Sequence, residues 1–258
     1  MQLIKKRLHM TIHVYTSQSI DYFNDIGKYS LASALKFLPE DTTITVTTED
    51  YDKWPKLNPR INLVDLYSLN NGFKQFEDRW RGKIMQKVIS FAKKGYTVLE
   101  GTEHGSADTM LWLDADAFIK RPLDEAFFRK LLNNNLSAHL GVTHDSGEFC
   151  VESGFFVFDL THPRRGDFAR IYRDYYDNDR MEGMGRFYDS NVQGHVVKDC
   201  EKLGITFTEM NLRQKGNTPI RGSMVNDDVG HFKGKIKRQA EELYEEFAIK
   251  DYVSQVLA

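Results

Sequence analysis

The stretch LWLDADAF, residues 111–118, runs straight from apolar side chains into two acids. Its start, MLWL at residues 110–113, has the composition of a strand buried on both faces. In an extended chain, residues two apart point to the same side. Asp114 and Asp116 therefore converge, while the small Ala115 turns away. Two carboxylates held that close disfavour each other's full ionisation. A hard divalent cation relieves the repulsion and prefers oxygen ligands, so Mg²⁺ or Mn²⁺ is the natural occupant, shared with substrate phosphates. The competing reading is a solvated turn in which both aspartates cap the next helix. Position favours the metal, because turns seldom follow so apolar a strand with two acids.

Working outward, strands and helices alternate. Residues 11–16 (TIHVYT), 43–48 (TITVTT) and 61–66 (INLVDL) read as strands. Between the first two, Tyr22, Ile26, Tyr29, Leu31, Leu35 and Leu38 recur at roughly helical spacing up to Pro39. Residues 73–94 read as one amphipathic helix, closed by Gly95 as a C-terminal glycine. Beyond the acid pair, residues 122–133, 164–176 and 191–203 read as helices. Residues 154–160 (GFFVFDL) and 205–209 read as strands. This alternation specifies an α/β sheet wrapped by helices, which binds ligands at the carboxyl ends of its strands. With no internal repeat, low-complexity segment or linker, one domain is the simplest description.

Composition narrows the class. A chain of 258 residues suits one large domain or two small ones. Its 17 Phe, 12 Tyr and 3 Trp supply a core first and sugar-stacking faces second, and Trp80 and Trp112 read as core. A net charge of −2 gives no global pull toward nucleic acid. Two cysteines, Cys150 and Cys200, cannot build a disulfide framework, so a reducing, cytoplasmic setting is expected. No apolar run approaches the roughly 20 residues that span a membrane. The opening MQLIKKRLHM is basic without a following apolar stretch, so it reads as an extension and not a secretory signal.

A second feature, HFKGKIK, lies at residues 231–237. Imidazole is a good ligand for Mn²⁺ and similar ions. Gly234 lets the backbone approach an anion closely, and Lys235 and Lys237 are point charges suited to phosphate oxygens. A surface histidine beside a solvated lysine-rich face is the competing reading.

Together these features resemble the A-type (GT-A) glycosyltransferase fold, and within it the retaining enzymes of glycosyltransferase family 8, the glycogenin and bacterial galactosyltransferase type. The family's Asp-x-Asp at the end of an apolar strand is matched by Asp114 and Asp116, and its late His-x-x-Gly-x-x-Lys by His231, Gly234 and Lys237. An Asn-Ser-Gly strand start is matched in part by Glu152-Ser153-Gly154, and an Asp-Gln pair opening a helix in part by Asp189-Ser190. Glu152 stands where Asn is usual and Ser190 where Gln is usual, both near the reacting sugar in the family. Tyr15 and Thr16 resemble its nucleotide-base contact. Arg81 and Lys87 lie where it places donor-contacting basic residues, although a solvated helix face accounts for them too.

The resemblance spans residues 11–237 in the family's order. It implies a single Rossmann-like GT-A domain over residues 11–238, with a mixed, mostly parallel central sheet flanked by helices. Residues 1–10 precede that domain, and a C-terminal helix over residues 239–258 packs on it. It further implies metal-dependent transfer of a hexose from a nucleotide sugar, a UDP-sugar by resemblance alone, to a glycan or other hydroxyl acceptor with retention of configuration. Asp114, Asp116 and His231 would hold the ion. Tyr15, Thr16, Arg81, Lys87, Gly234, Lys235 and Lys237 would contact the donor.

Retention by double displacement needs a carboxylate facing the sugar opposite the leaving group, and Asp189 and Glu152 are the candidates. Front-face attack without a covalent intermediate stays open. For Asp189 the competing reading is a helix N-cap, and for Glu152 an exposed strand-edge acid. The C-terminal helix carries apolar residues that could join a second copy or a membrane surface, though packing on its own domain is simpler. Three other functions compete with this reading. A haloacid-dehalogenase-type phosphatase carries its Asp-x-Asp after the first strand, where TSQS at residues 16–19 has no acid. A sugar nucleotidyltransferase calls for a glycine-rich phosphate loop there, and TSQSIDYF has no glycine. A catalytically inactive sugar- or partner-binding relative would not need both aspartates, His231 and Lys237.

Overall fold

β-Branched and aromatic runs form the sheet of the computed structural model, which describes residues 9–69, 72–83, 87–143, 147–184, 186–211, 220, 222–231 and 244–258. Strands β1 (Ile12–Ser17), β2 (Thr43–Thr48), β3 (Ile61–Asp65) and β4 (Thr109–Leu113) run parallel in the order β3-β2-β1-β4. The chain then adds β5 (Ala117–Ile119), β6 (Ser137–Thr143), β7 (Phe149–Asp159), β8 (Phe207–Glu209) and β9 (Val229–His231). β7 pairs antiparallel with β4 and with β6, and β6 pairs parallel with β8. The seven-stranded order is β3-β2-β1-β4-β7-β6-β8, mixed and mostly parallel as expected, while β5 and β9 form a separate antiparallel ribbon.

Helices cover both faces. A helical run of α1 (Ile20–Tyr22), a π-helical turn (Phe23–Gly27) and α2 (Lys28–Phe37) follows β1. Then come α3 (Phe73–Trp80), α4 (Lys87–His104), α5 (Glu125–Leu132), α6 (Arg165–Asp177), α7 (Asp189–Lys202) and the short α8 (Lys250–Val253). On β4, Leu111 and Leu113 join one core with α2 and α5, while Met110 and Trp112 join a second with α4, α6 and α7. Two-sided burial explains why MLWL shows no polar alternation. No helix among the described residues is long and apolar enough to cross a membrane.

Three expectations need correction. The helix read over residues 73–94 is two helices, with Gly82 at φ 82° in the turn after α3. Gly95 ends neither; it sits inside α4, where an added Cβ would lie 2.4 Å from Cζ of buried Tyr176. Close packing, not termination, calls for that glycine. The helix expected over residues 239–258 is also interrupted. Residues 239–243 lie outside the described residues, 244–246 are helical, and α8 spans only Lys250–Val253. Ala248, at φ 49°, stops the earlier turn, with Ile249 N–H donating to Tyr244 O at 2.8 Å as in a Schellman end.

Candidate active site

β4 delivers its two acids to the turn that joins it to β5. Asp114 N–H donates to Gly154 O at 2.9 Å, and Ala117 N–H to Asp114 O at 2.9 Å, tying that turn to β7. The ribbon then brings in the distant histidine, because Ala117 pairs in register with His231. His231 Nε2 lies 3.1 Å from Asp116 Oδ1, and one ligand atom each from Asp114, Asp116 and His231 fall within 4.8 Å of one another. Tyr22 Oη donates to Asp116 Oδ2 at 2.9 Å, and Trp112 Nε1 to Asp114 Oδ1 at 2.8 Å.

Two more acids join this cluster. Glu152, on β7, is buried, with Oε1 3.4 Å from His231 Nδ1. It is therefore no exposed edge acid. Asp189 is the first residue of α7; the N-cap position is Tyr188, which makes no side-chain cap bond. The Asp189 carboxylate instead accepts from Ser153 Oγ at 2.5 Å, at the positive end of the helix dipole.

Lys94 links the two groups and is the residue the sequence reading missed. It is 9% exposed, on the inner face of α4. Its Nζ donates to Asp114 Oδ1 at 2.6 Å, lies 3.0 Å from Asp189 Oδ2, bonds Ser153 O, and sits 4.9 Å from the Trp112 ring centroid. Lys93-Lys94 reads as a solvated pair. The available signal was its spacing: Phe91, Lys94 and Val98 fall on one helix face, so the lysine stands where an apolar residue is due.

The charges are unbalanced. Burial raises the pKa of Asp114, and Asp116 adds to this, outweighing Lys94. Burial alone would raise Asp189 too, but Lys94 and the Ser153 hydrogen bond hold it below its ordinary value. Burial would lower Lys94, yet Asp114 and Asp189 hold it well above the ordinary lysine value. For His231, burial works downward and is outweighed by Asp116, Glu152 and Asp114, so the net shift is upward. One lysine among four acids leaves excess negative charge, which suits a cation.

The other candidates are more scattered. Tyr15 is buried in the second core, its ring against Gly101 of α4 and stacked at 4.4 Å on His13. Thr16 is buried at the carboxyl end of β1, and its Oγ1 makes no hydrogen bond among the described residues. Arg81, just past α3, is exposed and pairs with Glu77 at 3.1 Å. Lys87 is exposed at the start of α4, two turns before Lys94. Gly234, Lys235 and Lys237 lie outside the described residues.

The mixed, mostly parallel seven-stranded sheet flanked by helices has the GT-A glycosyltransferase fold. Among solved structures, the galactosyltransferase LgtC in complex with donor and acceptor sugar analogs matches at a TM-score of 0.53 and 12% identity, over 95% of this chain and 96% of that one. Mouse xyloside xylosyltransferase 1 in its apo form matches at 0.52 and 10%, over 78% of this chain and 85% of that one. The apo-form glycosyltransferase GlyE of Streptococcus pneumoniae TIGR4 matches at 0.55 and 12%, over 95% of this chain and 62% of that one. At such identities the likeness is one of fold. No protein-family model matches the chain, and no curated protein matches it.

Proposed function

We propose that this chain is a glycosyltransferase that moves a hexosyl group from a nucleotide sugar, with UDP as the leaving group, to a hydroxyl acceptor with retention of configuration. The convergence of Asp114, Asp116 and His231 within 4.8 Å carries this reading. Those three side chains would hold a Mn²⁺ or Mg²⁺ ion, and the excess of acid around them fits that charge. The bound ion supplies Lewis-acid stabilisation of the departing diphosphate. Lys237 and Lys235, with the Gly234 backbone, are assigned to the phosphates, and Thr16 and Tyr15 to the base end of the donor. Arg81 and Lys87 are left to the donor's outer contacts.

Asp189 is assigned to the reacting sugar. Two donors, Lys94 and Ser153, converge on its Oδ2. A carboxylate held that way is a poor nucleophile and a good orienting group, which favours front-face attack over a covalent intermediate.

The test is release of UDP from a panel of UDP-hexoses with Mn²⁺. Asp116→Asn should lower turnover at least about 100-fold, as loss of a preorganised charge does, and EDTA should abolish the wild-type reaction. Undiminished turnover by Asp116→Asn in excess EDTA would sink the proposal. Release of pyrophosphate would point to nucleotidyl transfer instead.

A further inference from the structure

We infer that Glu152 is a positioning residue that fixes which nitrogen of His231 faces Asp114 and Asp116. The inference rests on the metal-site reading above. A neutral imidazole has one N–H and one bare nitrogen. To bind an ion between the two aspartates, His231 must present Nε2 bare, and its proton must then sit on Nδ1. That proton needs an acceptor, and the nitrogen that faces away from Asp116 lies 3.4 Å from Glu152 Oε1. Metal-bound histidines are commonly fixed by such an outer carboxylate.

β7 is shaped for this task. Glu152 and Gly154 stand two apart and so share one face of the strand. Gly154 N–H donates to Glu152 Oε1 at 3.3 Å, orienting the carboxylate. The imidazole lies directly over Gly154, where an added Cβ would come within 2.5 Å of Cε1 and 2.7 Å of Nδ1. One strand thus provides both the seat of the ring and the acceptor for its proton. This gives Glu152, which departs from the Asn of the family pattern, a task on His231 rather than in attack on the sugar.

The discriminating measurement is Mn²⁺ affinity of the full chain, read by EPR of free Mn²⁺, in Glu152→Gln and Glu152→Asp. Thermal melts in EDTA check folding. Gln keeps the length and the accepting Oε1 but loses the charge; Asp keeps the charge but is one methylene short. If the hydrogen bond is what matters, Gln stays within about fivefold of wild type and Asp weakens binding at least about tenfold, the range seen when outer-shell partners are lost. The reverse order, or wild-type affinity in both, overturns the inference while leaving the metal site standing. Failure of the wild-type chain to bind Mn²⁺ removes the metal reading itself, and this inference with it.

Discussion

A lysine with 9% of its surface exposed survives only if its charge is answered, and Lys94 is answered by Asp114 and Asp189. Truncating one partner of a buried ion pair strands the others, typically at about 3–5 kcal/mol. Lys94→Met is therefore expected to lose about 3 kcal/mol of unfolding free energy, measured by urea titration at pH 7 without metal. A loss below about 1 kcal/mol would mean that the acids are already screened by water. Asp114, Asp116 and His231 were legible because their chemistry is written in short motifs. Lys94 was not, because a lysine's burial depends on what α6, α7 and β7 place around it. His139 makes a second residue-scale case. Buried between Phe149 and Phe207 with Nδ1 unpartnered among the described residues, it has its pKa lowered by burial from 6.5 to about 4. Between those values the unfolded chain binds the proton and the folded one does not. Stability is therefore lost as pH falls through that window, by about 2 kcal/mol between pH 7 and pH 5. His139→Leu should flatten the pH dependence of stability by about that amount; an unchanged slope in paired urea melts would refute it.

At the scale of elements, β2 and β4 announce themselves through unbroken β-branched or apolar runs, β1 and β3 through shorter ones broken by His13 and Asn62, and α5, α6 and α7 were placed within a few residues. What escaped notice depends on pairing. β5 and β9 are three residues each and exist because they bond each other across more than a hundred positions. β6, SAHLGVT, shows no clean alternation because nearly all of it is buried, so period-two contrast is lost. Gly95 shows how tertiary contact reverses a local rule. In an exposed helix interior, Gly→Ala stabilises by about 0.5–1 kcal/mol. Here the new methyl would meet the Tyr176 ring, which is fully buried. Overpacking of this kind costs about 1–3 kcal/mol. Gly95→Ala should therefore lower the melting temperature, against its helix propensity. A rise would show that α4 and α6 slide apart cheaply.

At the scale of the whole molecule, the site depends on a return journey of the chain. His231 reaches Asp116 only because β9 docks on β5, and that ribbon is backed by the C-terminal segment. Gly230 lies so close to Phe118 that an added Cβ would stand 2.1 Å from the ring; Phe118 in turn packs edge-on against Tyr244 at 5.4 Å, and Tyr244 stacks on Tyr29 of α2 at 4.2 Å. Beyond this contact the tail is held at further points. Lys36 Nζ donates to the carbonyls of Phe247 and Ala248, each at 2.9 Å. Asn58 N–H donates to Val256 O at 2.8 Å, and Ala258 N–H to Lys56 O at 3.1 Å. Tyr244 is near enough to Asp116 for that carboxylate, after burial, to raise its pKa, and it supports the wall behind the strand that carries the histidine. Tyr244→Ala should cost about 3–5 kcal/mol of stability, as large-to-small core changes do. It should also weaken Mn²⁺ binding, because a loosened Phe118 no longer fixes Gly230 and with it His231. The two effects separate on cooling: at a temperature where the variant is fully folded by circular dichroism, any remaining loss of affinity belongs to the site and not to unfolding, and Tyr244→Phe, which keeps the ring against Phe118, assigns it to the ribbon if that variant binds Mn²⁺ like wild type. Wild-type Mn²⁺ affinity under those conditions would mean that β5 and β9 hold the histidine unaided, and that the tail stabilises the fold without reaching the site.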